Sequence, residues 1–143
     1  MTKRTETEIA TLSAAAMWAD DNASKGIGIE LTEVTPGGAR LSMTVREHMV
    51  NGHGLCHGGY IFMLADSAMA FASNSRNQRH VAQMAQVSFI APGRLGMTLV
   101  AEASERHRAE RSGIYDVTVR TADGQIIAEF RGQTRSIPGV LVE

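Results

Sequence analysis

Residues Ala39 to Val45, Ala-Arg-Leu-Ser-Met-Thr-Val, alternate apolar and polar with a period of two, which predicts a strand with one buried face. Pro36, Gly37 and Gly38 form a turn signal before it, and the stretch from Ile29 to Val34 supplies the other arm of a hairpin. The same grammar recurs at Val81–Ile90, Thr98–Arg108, Gly113–Thr121 and Gln125–Arg135, punctuated by Pro92–Gly93, Arg111–Gly113 and Asp123–Gly124. Two helices interrupt the strands. The first is expected from Glu6 to about Ala23, with Ile9, Leu12, Ala16 and Ala19 spaced to share one face. The second is expected from Gly58 to about Ser73; it is rich in good helix formers, and its apolar residues lie nearly all round, so it should be buried. Short turns between consecutive strands imply antiparallel neighbours. The expected fold is therefore α+β, an antiparallel β-sheet wrapped around one long central α-helix, in a single domain over residues 1–143.

Composition narrows the function classes. A chain of 143 residues suits one domain, burying roughly 70% of its unfolded surface. Hydrophobic residues at 43% and charged residues at 20% match a folded, soluble chain. A formal charge of −1 leaves no footprint for nucleic acid. The polar N-terminus has no apolar run with a cleavage site, and no segment is apolar enough to suggest a membrane partner. Cys56 is the only cysteine and cannot form an internal disulfide, which fits a reducing, cytoplasmic setting. Aromatic residues are only 5%, against 8 Met and 14 Gly, so small and flexible side chains must fill the core.

The chemistry concentrates in Asn51-Gly-His-Gly-Leu-Cys-His-Gly-Gly59, directly ahead of the central helix. Glycines at a helix start let another molecule approach bare backbone, where the first N–H groups lack internal partners and sit at the positive end of the helix dipole. That arrangement stabilises an oxyanion; equally, the glycines serve a tight turn against the sheet. Asp66 is the second anomaly, a carboxylate inside Met-Leu-Ala-Asp-Ser-Ala-Met-Ala. A buried carboxylate is costly without a partner, so Asp66 is either a base or nucleophile in a cleft or an acceptor for Ser67 or a loop amide. Gly58 and Asp66 are eight residues apart, about 12 Å of helical rise, so one helix can hardly aim both at one carbon. Two antiparallel helices across a two-fold axis would bring each Asp66 near the other copy's Gly58.

Other readings of these residues are weaker. His53 and His57 have metal-ligand spacing, but the glycines make that stretch a poor helix and only Cys56 offers a third ligand. Cys56 beside His57 suggests a thiol nucleophile, although sequence neighbours seldom make a catalytic pair. No phosphate-cradling glycine motif is present. The basic cluster Arg106-His-Arg-Ala-Glu-Arg111 is either a solvated strand end or a holder of phosphates.

The Asn51–Gly59 segment, followed by Phe62-Met-Leu-Ala-Asp-Ser-Ala68 and Asn74-Ser75, resembles the signature of the hotdog-fold acyl-CoA thioesterases, and within them the phenylacetate-degradation family. Gly26–Ile29, Ser88-Phe-Ile-Ala-Pro-Gly93, Ser112-Gly-Ile-Tyr-Asp116 and Phe130-Arg-Gly132 extend the likeness over nearly the whole chain. The resemblance implies a hotdog homodimer, commonly paired into a homotetramer, that hydrolyses acyl-CoA thioesters of the phenylacetyl or hydroxyphenylacetyl class with no metal or organic cofactor. It places the base or nucleophile on Asp66, from the opposite subunit, and the carbonyl-polarising amide on Gly58 with Gly59 beside it. Asn51 and His57 line the same site, and Ser67 is one residue from the carboxylate. Ala91 stands before Pro92 where the superfamily often has Arg, leaving Arg94, Arg106, Arg108 and Arg111 as candidates for the CoA phosphates; Arg111, Ser112 and Gly113 are placed near the CoA arm. The rival functions are a hotdog hydratase and a non-catalytic acyl-CoA-binding module.

Overall fold

The computed structural model describes residues 2–143. Helix α1 (Glu6–Ala19) opens on a capping box, in which Thr5 Oγ1 accepts from the Glu8 amide at 3.1 Å and the Glu8 carboxylate accepts from the Thr5 amide at 2.7 Å. It stops short of the expected Ala23. Asp21 turns its carboxylate to the Ser24 amide at 3.0 Å and starts a separate short helix, α2 (Asn22–Gly26). The inward face of α1 also differs from the expected one: Ala10, Ser13 and Ala14 are buried while Leu12 is 39% exposed. Small side chains let this helix lie close to the sheet, and Trp18, with its ring centroid 5.9 Å from that of Phe71, makes the larger contact.

The strands are β1 (Glu30–Thr35), β2 (Gly38–Thr44), β3 (His80–Phe89), β4 (Thr98–Arg108), β5 (Ser112–Thr121) and β6 (Ile126–Ser136). They form one antiparallel sheet in the order β1-β2-β4-β5-β6-β3. The central helix α3 (Gly58–Ser73) crosses its inner face, packing against Leu41, Met43, Leu99, Ala101, Val117 and Val119. A strand glycine makes this close approach possible, since a Cβ at Gly132 would collide with the Met69 sulfur; Gly113 instead makes room for the Tyr115 ring, which would lie 2.7 Å from a Cβ there. The outer face is a polar ladder, with Arg40 against Glu102, Thr118 donating to Glu129 at 2.9 Å, and Arg131 gripping Asp116 through bonds of 2.6 and 2.8 Å.

The sheet does not enclose α3 on every side. Gly59, Met63, Asp66 and Ala70 recur at helical spacing along a stripe that stays exposed or half-buried. Beside that open stripe runs β3, an edge strand that leaves Val81 at 43%, Phe89 at 53% and Ile90 at 59% exposure. At the far end of α3, Asn74 is a clamp. Its Nδ2 donates to the carbonyls of Ala70 and His80 at 2.8 and 3.1 Å, and its Oδ1 accepts from the His80 amide at 3.0 Å. Ser75 donates to the Ala72 carbonyl and accepts from the Gly37 amide at 2.9 Å, tying the helix end to the β1–β2 turn. Glu105, at a bulge in β4, completes this corner by accepting from Arg76 at 2.7 Å and from the Tyr115 hydroxyl at 3.0 Å.

Candidate active site

The loop ahead of α3 is held by its own backbone and one side chain. Val50 bridges to Cys56, the Asn51 amide donates to the Leu55 carbonyl at 2.8 Å, and Gly54 takes a positive φ of 75° to close the turn. Asn51 Oδ1 accepts from the amides of His53 and Leu55 at 3.0 and 3.2 Å. The oxygen of Asn51 is thus spent on the loop, and its Nδ2 has no hydrogen-bond partner among the described residues. Cys56 is tied by its amide to the Gly93 carbonyl at 2.8 Å and His57 by its amide to the Met49 carbonyl at 2.7 Å. These anchors aim the loop's last residues along the axis of α3.

His57 caps the helix. Its Nδ1 accepts from the Gly59 amide at 2.8 Å, so the neutral ring carries its proton on Nε2, directed away from the helix. Gly59 N–H is therefore occupied and Tyr60 N–H goes to the His57 carbonyl at 3.0 Å, while Gly58 N–H has no partner among the described residues. An unpaired amide at the positive end of a helix is the group an oxyanion would take. The glycine also lets the Phe89 ring lie against the helix start, because a Cβ at position 58 would sit 2.8 Å from Phe89 Cζ and push the ring aside.

Asp66 lies on the open stripe of α3. Its carboxylate has no hydrogen bond or ion pair among the described residues, and burial pushes its carboxyl above the ordinary aspartate value. Ser67 does not serve it. The Ser67 hydroxyl is buried and meets Ser24 Oγ at 3.0 Å, a contact that fixes α2 to α3. Burial also pushes the Cys56 thiol up, and its Sγ faces the His57 carbonyl at 3.7 Å, an environment for packing and not for a thiolate.

Arg111, Ser112 and Gly113 lie at the opposite end of the helix from Gly58. The Arg111 carbonyl accepts from Ser136 at 2.9 Å, Ser136 pairs with His80, and His80 is clamped to Asn74 at the end of α3. A helix of 16 residues separates the two ends, or about 24 Å. Within one chain the structure brings together Asn51, His57, Gly58 and Gly59, and leaves Asp66 and the Arg111 hairpin apart from them. Arg106 and Arg108 are engaged, the first with Asp116 at 3.4 Å and the second with Gln78 at 3.1 Å, whereas Arg111 enters no ion pair among the described residues.

The sequence reading passed over Phe89, Tyr60 and Glu105. Glu105 had a usable signal, since it continues the inward parity of Leu99, Ala101 and Ala103 along β4. Tyr60, set edge-on between the rings of His48 and His57 with centroids 5.9 and 6.4 Å away, had none, because its neighbours arrive from a 3-10 turn.

Comparison with known proteins identifies the family and the fold. The family model of the thioesterase superfamily matches residues 53–128. The chain is 39% identical over 129 residues to the acyl-coenzyme A thioesterase PaaI of Escherichia coli, covering 90% of this chain and 92% of that protein. The solved structure of the E. coli PaaI protein, from the phenylacetic acid degradation operon, superposes with a TM-score of 0.93 at 38% identity, covering 95% of this chain and 99% of that one. A phenylacetic acid degradation protein PaaI from Thermus thermophilus, solved as a point mutant, aligns with a TM-score of 0.79 at 32% identity, over 82% of this chain and 100% of that one. The chain belongs to the thioesterase superfamily and is a hotdog-fold acyl-CoA thioesterase of the PaaI, phenylacetic acid degradation type.

Proposed function

We propose that this enzyme hydrolyses aryl-acetyl-CoA thioesters, of the phenylacetyl or hydroxyphenylacetyl class, to the free acid and CoA in the cytoplasm, as a homodimer whose two sites each draw on both subunits. The observation that carries the reading is a pair of unsatisfied groups on one helix: the Gly58 amide at its start and the half-buried Asp66 carboxylate along its open stripe. Their separation along α3, about 12 Å, suits them to two different carbonyls. Antiparallel packing of two open stripes sets Asp66 of the partner subunit beside Gly58, and the free β3 edge, with Val81 and Met84 exposed, offers the surface for that pairing. Two such dimers associate as a tetramer.

In the reaction, the thioester carbonyl oxygen takes the Gly58 N–H, while Gly59, whose own N–H is held by His57, and the His57 ring line the same site. Asp66 either draws a proton from the attacking water or bonds to the carbonyl carbon itself. On the first route the C–S bond breaks, the electron pair leaves with sulfur and the water proton held by Asp66 passes to the CoA thiolate; on the second the thiolate leaves an acyl–Asp66 anhydride, which water hydrolyses to the free acid, the released proton going to the thiolate and the carboxylate being restored. Asn51 orients the acyl end through Nδ2, and Arg111, Ser112 and Gly113 lie along the CoA arm, where the guanidinium suits a phosphate. This chemistry calls for no cofactor. Thiol release over a panel of aryl and alkyl acyl-CoAs tests the reading. Asp66→Asn is expected to lose turnover by about a hundredfold or more while keeping the assembly state of the unaltered enzyme in sedimentation. Near-normal turnover in that variant removes Asp66 from the mechanism, and absence of CoA release by the unaltered enzyme favours a hydratase or a binding module.

A further inference from the structure

The Gly58–Gly59 step divides two cavities. One, of about 470 Å³, is walled by Leu55, Ile61, Phe89, Ile90 and Pro92. The other, of about 520 Å³, is lined by His48, Val50, His57, Tyr60 and Met63, and Asn51 borders both. Both are mostly apolar; the first adds only Asn51 and the Cys56 thiol to its hydrocarbon, whereas the second sets two imidazoles and a phenol among Met49, Val50 and Met63. A thioester whose carbonyl rests at the Gly58 amide must send its acyl group to one side and its amide-bearing thiol arm to the other. An aromatic acyl group belongs with the hydrocarbon wall and the polar arm with the imidazoles and phenol.

Within the apolar cavity one side chain is set apart. Phe89 ends β3 with 53% of its surface exposed and has no ring partner among the described residues. Its phenyl points tip-first at the helix start, so that a Cβ on Gly58 would lie 2.8, 3.1 and 3.3 Å from Cζ, Cε1 and Cε2. The ring therefore abuts the residue whose amide receives the carbonyl and presents its faces to the adjoining space. We propose that Phe89 is the residue that selects aromatic over alkyl acyl groups, its ring packing against the ring of the substrate, while Tyr60 borders the thiol arm common to all substrates.

This inference rests on the thioesterase reading, and the experiment separates the two. The probes are phenylacetyl-CoA and butyryl-CoA, with kcat/KM measured for the unaltered enzyme and for Phe89→Leu, Phe89→Tyr and Tyr60→Ala. Phe89→Leu keeps an apolar side chain but loses the ring, and is expected to lower the ratio of the phenylacetyl to the butyryl value about tenfold, chiefly through KM for the aromatic substrate. Phe89→Tyr restores the ratio, and Tyr60→Ala weakens both substrates by the same factor. An unchanged ratio in Phe89→Leu overturns the assignment, as does a ratio that moves with Tyr60 instead. If the unaltered enzyme releases CoA from neither probe, the thioesterase reading fails and takes the assignment with it.

Discussion

Asp66 and Ser67 are adjacent on α3, about 100° apart round the helix, and that rotation separates an unpartnered carboxylate from a hydroxyl sealed against Ser24. The contrast shows what was legible at the scale of single residues. A carboxylate in an apolar run announces itself, because its presence has to offset a desolvation cost. A serine in the same run announces nothing, since a hydroxyl can be satisfied by any neighbour, and here the neighbour comes from a helix 43 positions away. Glu105 shows how such a residue is tuned. Burial pushes its carboxyl up, but hydrogen bonds from Arg76 and Tyr115 and the charges of Arg76 and Arg108 outweigh burial and hold it below the ordinary glutamate value. A lowered folded value means that Glu105 stabilises the native state above the ordinary value and ceases to do so as pH falls through the lowered one. Urea unfolding of the unaltered protein and of Glu105→Gln should therefore differ most at neutral pH, and the gap should narrow in acid; a gap of constant size would show that the charge is not what matters. In the same network Tyr115 is pushed up to about 12, by burial first and then by Glu105, and so stays a neutral donor throughout that range.

Among elements, the strands were the most readable because alternation and turn residues agree at the β1–β2, β4–β5 and β5–β6 hairpins; the Pro92–Gly93 turn reads the same way, but β3 leaves β4 to pair with β6. β5 alternates without interruption from Gly113 to Val119. The inward face of α1 was less readable, since Ala10, Ser13 and Ala14 carry little hydrophobic signal and the exposed Leu12 carries more. The end of α3 depends on a residue that the pattern marks only as polar. Asn74 satisfies two carbonyls and one amide with a single buried side chain, linking the last turn of the helix to the first residue of β3. Asn74→Ala should destabilise the fold by about 3 kcal/mol, since buried backbone groups are left unpaired, measured as a fall in the urea midpoint at constant slope. A loss below about 0.5 kcal/mol, the usual size for a surface substitution, would mean that the clamp is dispensable.

At the scale of the whole molecule, the sheet order sets how much of the site one chain contains. Sequence spacing indicated that Gly58 and Asp66 serve different carbonyls, but the distance from Gly58 to the Arg111 hairpin follows only from which strand lies beside which, and pairing order is not written in any local pattern. If sites are shared, two inactive variants should repair each other. Asp66→Asn and Gly58→Val, mixed after unfolding and refolded together, place one intact site in every heterodimer, and random pairing predicts about a quarter of the unaltered activity. Activity no greater than that of the separate variants would confine each site to one chain.

The position of β3 at the edge of the sheet has a further consequence, for the order in which the chain acquires its structure. Within the sheet β3 has one neighbour, and that neighbour is β6, which is synthesised after β4 and β5. Until residues near Ser136 are synthesised, β3 and the apolar helix just before it have nothing to close over them on that side. The growing chain thus carries its apolar central helix and its unpaired β3 edge together from the synthesis of Phe89 until that of Ser136, when exposed apolar surface is prone to aggregate. Pairing strands so far apart in sequence is also slow, so chaperone dependence in this protein should track the arrival of β6.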